Sequence, residues 1–429
     1  MGYWKLPGQY NKLTRDNISR FNAKSGRKTI ESVLLNPTAY KKDLLSRFRK
    51  GGRAPDYFYS YSDLNSNLLW KKIAGVLEDY FEDSKFYKDE ISNKEYRKSV
   101  LNEDGKLFAL PYYGSHSAFI YNEAHIKKAG FDEPPRDWNE LEQQALKIKE
   151  KGIADAPILV PIHGDGSVET LYAVLLGMNE KSNSYLFDED QRAKFDQEGS
   201  ALFNVLDWMI QGIYRKRIVS RECVAHDVLP GAQQMKKGRF TFIWLPWYLL
   251  SYINYPNGRT RSPIKEGLNP GSGITTCYTR TYTVSLSALR DKTKQSGLWR
   301  VLEYFGGKTN ENLESDREHG EYRVAKRLGT ELGIPSPIKS LWDDQEYCSA
   351  LDRWGDMEIY KRQDENVFNS LNDPYSPPWL AEWDGEWQSA PLRNTVHRIL
   401  LKEMSKRDLL SSLSNLSKSW NEFRKKYSR

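Results

Sequence analysis

Three carboxylic acids stand within five residues, at Glu382, Asp384 and Glu386, and two tryptophans, Trp379 and Trp383, are interleaved with them. Paired carboxylates can cleave a glycosidic bond as general acid and base or nucleophile, but that chemistry needs them on opposing walls. Three acids crowded on one loop do not meet that requirement. Flat indoles alternating with carboxylates suit a different task, covering the apolar C–H face of a sugar while accepting hydrogen bonds from its hydroxyls. Pro377 and Pro378 would stiffen such a loop beforehand. Tyr59, Tyr61 and Asp63 follow one expected strand, Tyr112, Tyr113, Ser115 and His116 follow another, and Trp247 comes after Pro246 at the end of a third. Strand ends are where open α/β sheets place their sites. Asp165, between Gly164 and Gly166, precedes an expected helix, whose free N–H groups favour an oxygen or an anion. Capping of that helix by Asp165 is the equal alternative, and core packing is the alternative for the tryptophans. Six scattered histidines form no HExxH, and no GxSxG, Walker or GxGxxG pattern is present. The expectation is a binding protein with no catalytic residue, no metal and no cofactor.

These residues belong to a chain of 429, which favours two or more lobes. Hydrophobic residues at 39% and charged residues at 28% are globular proportions. Aromatic content is high, with 13 Trp, 26 Tyr and 16 Phe, more polar-edged rings than a core requires, so some are expected to face a ligand. Lys and Arg number 64 against 57 Asp and Glu, and the net +7 is a mild preference for anions that does not by itself imply nucleic acid. Cys223, Cys277 and Cys348 lie far apart with no CxxC spacing, so no zinc site or dense disulfide framework is indicated and one thiol must stay free. Whether any two of them are bonded is left open. The longest apolar stretch, 240–253, is too short for a membrane span. The first residues lack the pattern of a signal peptide, as expected of a cytosolic protein or of a mature form without its leader.

Strand and helix patterns alternate, so the fold class is α/β with parallel sheets covered by helices. Helices are expected at 14–23, 40–50, 64–81, 138–152, 168–176, 200–213, 232–237, 298–305 and 405–427, and a further one runs from Asn122 to Gly130. Strands are expected at 29–35, 57–59, 107–110, 118–121, 156–162, 240–245 and 275–286, with a surface loop at 308–320.

Several segments, in order, resemble the maltose-binding-type extracellular solute-binding proteins (family 1) of ABC sugar importers. Residues 105–112, Gly-Lys-Leu-Phe-Ala-Leu-Pro-Tyr, are similar to one strand motif of that family, and Tyr121-Asn122-Glu123 with 128–141, Lys-Ala-Gly-Phe-Asp-Glu-Pro-Pro-Arg-Asp-Trp-Asn-Glu-Leu, to a longer and more specific one. Residues 235–242 with Pro246-Trp247, then 332–336, Leu-Gly-Ile-Pro-Ser, and the terminal helix continue the likeness over nearly the whole chain. The chain departs from the family in a first strand reduced to residues 1–6 and in the tryptophan-rich stretch 376–386.

The resemblance implies a two-lobed periplasmic-binding-protein fold (type II), its lobes joined by crossing strands with the ligand cleft between them. The N-lobe would be 1–119 with 276–332 and the C-lobe 120–275 with 333–429. It places Trp4, Trp244, Trp247, Trp379 and Trp383 near the cleft, with Trp244 expected in the core, and Tyr278 and Arg280 on a crossing strand. A buried Arg280 needs a partner, either the ligand or a carboxylate. The ligand-binding set expected is thus Trp4, Tyr59, Tyr61, Asp63, Tyr113, His116, Asp165, Trp247, Arg280, Trp379, Glu382 and Trp383. The implied function is capture of a mono- or oligosaccharide by hinge closure and delivery to membrane permease subunits, by a monomer that is periplasmic or extracellular and membrane-associated. Arg53, Arg280 and His116 leave an acidic saccharide or a glycerol phosphate-like ligand open. The alternative is a carbohydrate-active hydrolase or lyase.

Overall fold

The chain passes three times between two units. The first holds Met1–Ser115 and Tyr278–Leu351, the second His116–Cys277 and Asp352–Arg429. The structure, a computed structural model, describes residues 2–4, 9–24, 33–35, 40–49, 54–163, 167–179, 186–308, 321–368, 383 and 391–426, with 2–4, 9–11, 33–35, 41, 62–63 and 167–169 described by backbone alone. The strands in chain order are β1 (Gly2–Trp4), β2 (Val33–Leu35), β3 (Tyr57–Tyr61), β4 (Ala109–Asn122), β5 (Ile158–Leu159), β6 (Phe242–Pro246), β7 (Ile264–Gly267), β8 (Thr275–Val284) and β9 (Val367–Phe368). β4 and β8 each begin in one unit and end in the other.

In the first unit β1 pairs in parallel with β2 and β3, and β3 runs antiparallel to β8 with Tyr57 opposite Val284 and Tyr61 opposite Arg280. The helices Gln9–Lys24 and Lys292–Gly306 meet through Phe21 and Tyr304, whose rings are 5.0 Å apart edge to face. The long helix expected at 64–81 ends at Trp70 instead. Lys72 takes a positive φ of 55°, and the Ile73 and Ala74 N–H groups both turn back to the Leu68 carbonyl. Ala74 then bridges to Ser285, and Gly75 packs so closely on Leu289 that a Cβ would lie 2.5 Å from its side chain. Tertiary pairing therefore ends the helix where its apolar periodicity would have continued. The expected third crossing, after residue 332, also lies later, because 333–351 stay on the first unit. There the Ser336 N–H donates to the Tyr347 hydroxyl at 2.7 Å, and the Tyr347 ring closes over Gly329.

In the second unit β4 is antiparallel to both β6 and β7, while β5 runs parallel to β6 and the start of β8 parallel to β9. The sheets are mixed rather than parallel. The two strands expected at 107–110 and 118–121 are parts of a segment whose centre is the single 14-residue strand β4. Pro111 and Gly114 read as a break, but β4 runs through both; in the first unit the Gly114 N–H donates to the Pro335 carbonyl at 3.3 Å. The helix Trp138–Glu150 is capped by Asp137, which accepts the Glu140 N–H at 2.9 Å. Trp138 lies flat on Trp244, with ring centroids 5.6 Å apart and planes 2° from parallel. The Trp244 indole N–H donates to Asn269 Oδ1 at 2.8 Å, confirming Trp244 as a core residue. The helix Ala201–Ile210 continues into a π turn at Gln211–Arg215. The terminal helix Lys406–Arg424 is capped by Ser405 and buries Leu409, Leu413, Leu416 and Trp420 on one stripe. All three cysteines are free thiols, with Cys223 and Cys277 buried.

Candidate binding site

Four predicted residues come together in the first unit. Tyr59, on β3, stacks on Tyr112 of β4 with centroids 4.4 Å apart, and Tyr112 meets Tyr113 edge to face at 5.1 Å. Tyr113 contacts Tyr278 at 6.4 Å. The Arg280 guanidinium lies 5.2 Å from the Tyr61 ring and 5.4 Å from that of Tyr278, favourable cation–π distances. Register explains the grouping, since Tyr61 and Arg280 are direct partners across β3 and β8. Burial pushes the Tyr112 and Tyr282 phenols well above their usual range, with neighbouring tyrosines adding to it, so these hydroxyls remain neutral hydrogen-bonding groups. Below them Asn65 donates to the Ser99 carbonyl at 3.1 Å and to the Thr281 hydroxyl at 3.0 Å, fixing β8 against the helix Ser62–Trp70. The result is a tyrosine cluster ending in one half-buried cation.

His116 and Trp247 are brought together in the second unit, through a residue that the sequence reading missed. Tyr360, from the helix Met357–Asp364, lies 4.5 Å from the His116 ring and 4.9 Å from that of Trp247, edge to face with the latter. The Trp247 N–H donates to the His116 carbonyl at 3.0 Å. Trp247 is fully buried, and a Cβ on Gly355 would lie 2.5 Å from its ring, so only glycine permits this seat. Arg259 pins the strand of chain beside it by donating to both Asp352 oxygens at 2.9 and 3.0 Å and to Asp356 at 3.2 Å. Burial pushes His116 down to about 3, so its imidazole is neutral. Burial also lifts the Glu266 carboxyl well above the usual carboxylate range. That carboxyl faces the Trp247 indole and the Asp356 backbone N–H without reaching hydrogen-bond geometry, so both its oxygens and the indole nitrogen are buried with no bond made.

Trp247 and His116 are thus packing groups of their own unit in this structure, where a ligand-facing Trp247 was expected. Trp383 is also buried. Its ring meets Trp420 edge to face at 5.0 Å, and its N–H donates to Ser419 at 3.4 Å, which seats it on the terminal helix. Trp4 and Asp63 are described by backbone alone, Trp4 paired with Leu35 and Asp63 in the first turn of its helix. Asp165, Trp379 and Glu382 lie outside the described residues, as do Arg53, Asp384 and Glu386. Tyr360 and Glu266 had legible signals. Met357, Tyr360 and Gln363 recur at three-residue spacing on one helix face, and alternation along β7 puts Glu266 on the same side as buried Ile264. Among the described residues, no cluster of three or more His, Cys, Asp or Glu is placed to hold a metal ion, and no helix is long and apolar enough to cross a membrane.

Residues 18–215 match the family described as bacterial extracellular solute-binding protein. That match, over less than half of the chain, is to the broader class of solute-binding proteins that the motifs resemble. The chain is similar to the sn-glycerol-3-phosphate-binding periplasmic protein of Brucella abortus, 43% identical over 51 residues, 11% of this chain and 12% of that one. A binding protein of the same organism is 39% identical over 86 residues. The matched region spans about a fifth of each chain. Among solved structures, maltose-bound MalE3 of T. maritima superposes with a TM-score of 0.76 at 14% identity, covering 97% of this chain and 98% of that one. The sugar-binding protein MalE of Xanthomonas citri gives 0.74 at 17%, covering 100% and 99%. The fold is that of the two-lobed maltose-binding-type solute-binding proteins.

Proposed function

We propose that the protein is the solute-binding component of an ABC importer, a monomer that is periplasmic or extracellular and membrane-associated, and that it captures a carbohydrate and hands it unchanged to membrane permease subunits. The observation that carries this reading is the family match over residues 18–215, with solved proteins of the same fold holding maltose or tagatose in support. In the first unit the group best suited to a saccharide is Tyr61, Tyr113 and Arg280. Tyrosine rings offer an apolar face with a polar edge, and a guanidinium binds hydroxyls and also a carboxylate or phosphate. His116 and Trp247 pack with Tyr360 inside the second unit. A thermal-shift screen over neutral saccharides, uronic acids and sn-glycerol 3-phosphate tests this. A true ligand at about 100 times its dissociation constant adds roughly 2.7 kcal/mol and raises the melting temperature. A flat response across the panel contradicts the proposal.

A further inference from the structure

The helix Pro391–Leu400 packs on the terminal helix Lys406–Arg424 in the second unit, and the two leave a groove of about 600 Å³ between their polar flanks. That volume lies within the range of small-molecule sites, roughly 300–1,000 Å³. One wall carries Asn394, Thr395, His397 and Arg398, the other Ser412, Asn415 and Ser419, above Leu416. Spacings of three and four put each set on one helix face. Among the described residues, no carboxylate lines the groove. Arg398 donates to the Thr395 hydroxyl at 3.1 Å and to the Asn394 carbonyl at 3.4 Å, and among the described residues it pairs with no acid. His397 Nε2 lies 2.6 Å from the Ile162 carbonyl, so that nitrogen carries the proton and Nδ1 is left as an acceptor. Burial, with Arg393 and His163 adding to it, pulls His397 below its usual value and favours this neutral form.

Among the described residues the lining therefore combines one cation without an acidic partner, two amides, three hydroxyls and a neutral imidazole acceptor. Such a set matches a small molecule with one anionic oxygen group and several hydroxyls, the anion on Arg398 and the hydroxyls on the amides and serines. We propose that this groove is a second ligand site, for a sugar acid or a sugar phosphate. It shares no residue with the tyrosine cluster or the Trp247 group and does not depend on the transport reading.

Hydrogen–deuterium exchange of the full chain tests it with three probes, D-glucuronate, D-glucose 6-phosphate and D-glucose. Slower exchange across 391–400 and 406–419 with either anionic probe supports the site, and which probe acts identifies the anionic group. Arg398→Gln alone, and with Asn415→Leu, replaces exposed side chains and should weaken that protection at least tenfold in probe concentration. Equal protection by D-glucose overturns the anionic assignment. Protection by none of the three, or protection that survives both variants, overturns the site. Exchange at 57–61 and 278–284 reports separately on the saccharide group of the first unit, so failure of one proposal leaves the other readable.

Discussion

The two units use aromatic residues in opposite ways. In the first, phenols stack on one another along β3, β4 and β8 and end at a guanidinium, Tyr59 on Tyr112 and Tyr61 beside Arg280. In the second, indoles serve as packing pieces whose N–H groups mostly have a fixed partner. Trp244 donates to Asn269 at 2.8 Å, and Trp420 donates to the Gln191 carbonyl at 2.7 Å. Trp247 is the exception, its N–H facing Glu266 without a bond. Burial is common to both sets of rings, and what distinguishes the first is the half-buried Arg280 guanidinium beside the Tyr61 and Tyr278 rings.

The sharpest break of this contrast is Trp247→Ala, which should cost about 3–5 kcal/mol of stability through the cavity left beside Tyr360 and Gly355. A denaturant titration showing an unchanged midpoint would return Trp247 to the ligand-facing class. Asn269→Leu should cost about 3 kcal/mol, because it orphans the Trp244 N–H and removes the amide that donates to the Ala173 and Ile274 carbonyls, each at 2.7 Å. A loss below about 1 kcal/mol would mean that this network is solvated rather than buried.

His116 sharpens the comparison through pH. Its folded-state value is pushed down to about 3, below the usual 6.5, so the unfolded chain takes up the proton first. Stability is complete above pH 6.5 and falls as pH drops toward 3, by up to about 1.4 kcal/mol per unit. Between pH 6.5 and 5 the loss is about 2 kcal/mol, and His116→Phe, which keeps a ring against Tyr360, should remove that slope. An identical slope in the variant would assign the acid sensitivity elsewhere. The smallest effect is expected at Arg280→Gln, about a tenfold weakening of saccharide affinity, roughly 1.4 kcal/mol, with little change in unliganded stability. A fall in apo stability with affinity preserved would make Arg280 a structural cation.

The lobed α/β organisation and the family likeness were legible because turn residues, caps and the 128–141 motif are local features. Asp137 and Ser405 cap the helices they were expected to start. The helix ending at Trp70 was not legible, since Lys72 and the Ala74–Ser285 bridge stop it through a partner more than 200 residues away. Register brings Tyr61 and Arg280 together across β3 and β8, as their places on two expected strands allow. The surroundings of Trp247 were not legible, because proline before tryptophan at a strand end says nothing of Gly355 and Tyr360, which arrive from about 110 residues downstream and pack on the ring.

The central claim, solute capture without turnover, is tested most directly by calorimetric titration with the sugars that raise the melting temperature, followed by chromatography of the same mixture. The account predicts saturable binding of one saccharide, with a negative heat-capacity change from burial of apolar surface, and recovery of that sugar intact. New products in the chromatogram, or no heat with any saccharide or glycerol phosphate tested, would contradict it.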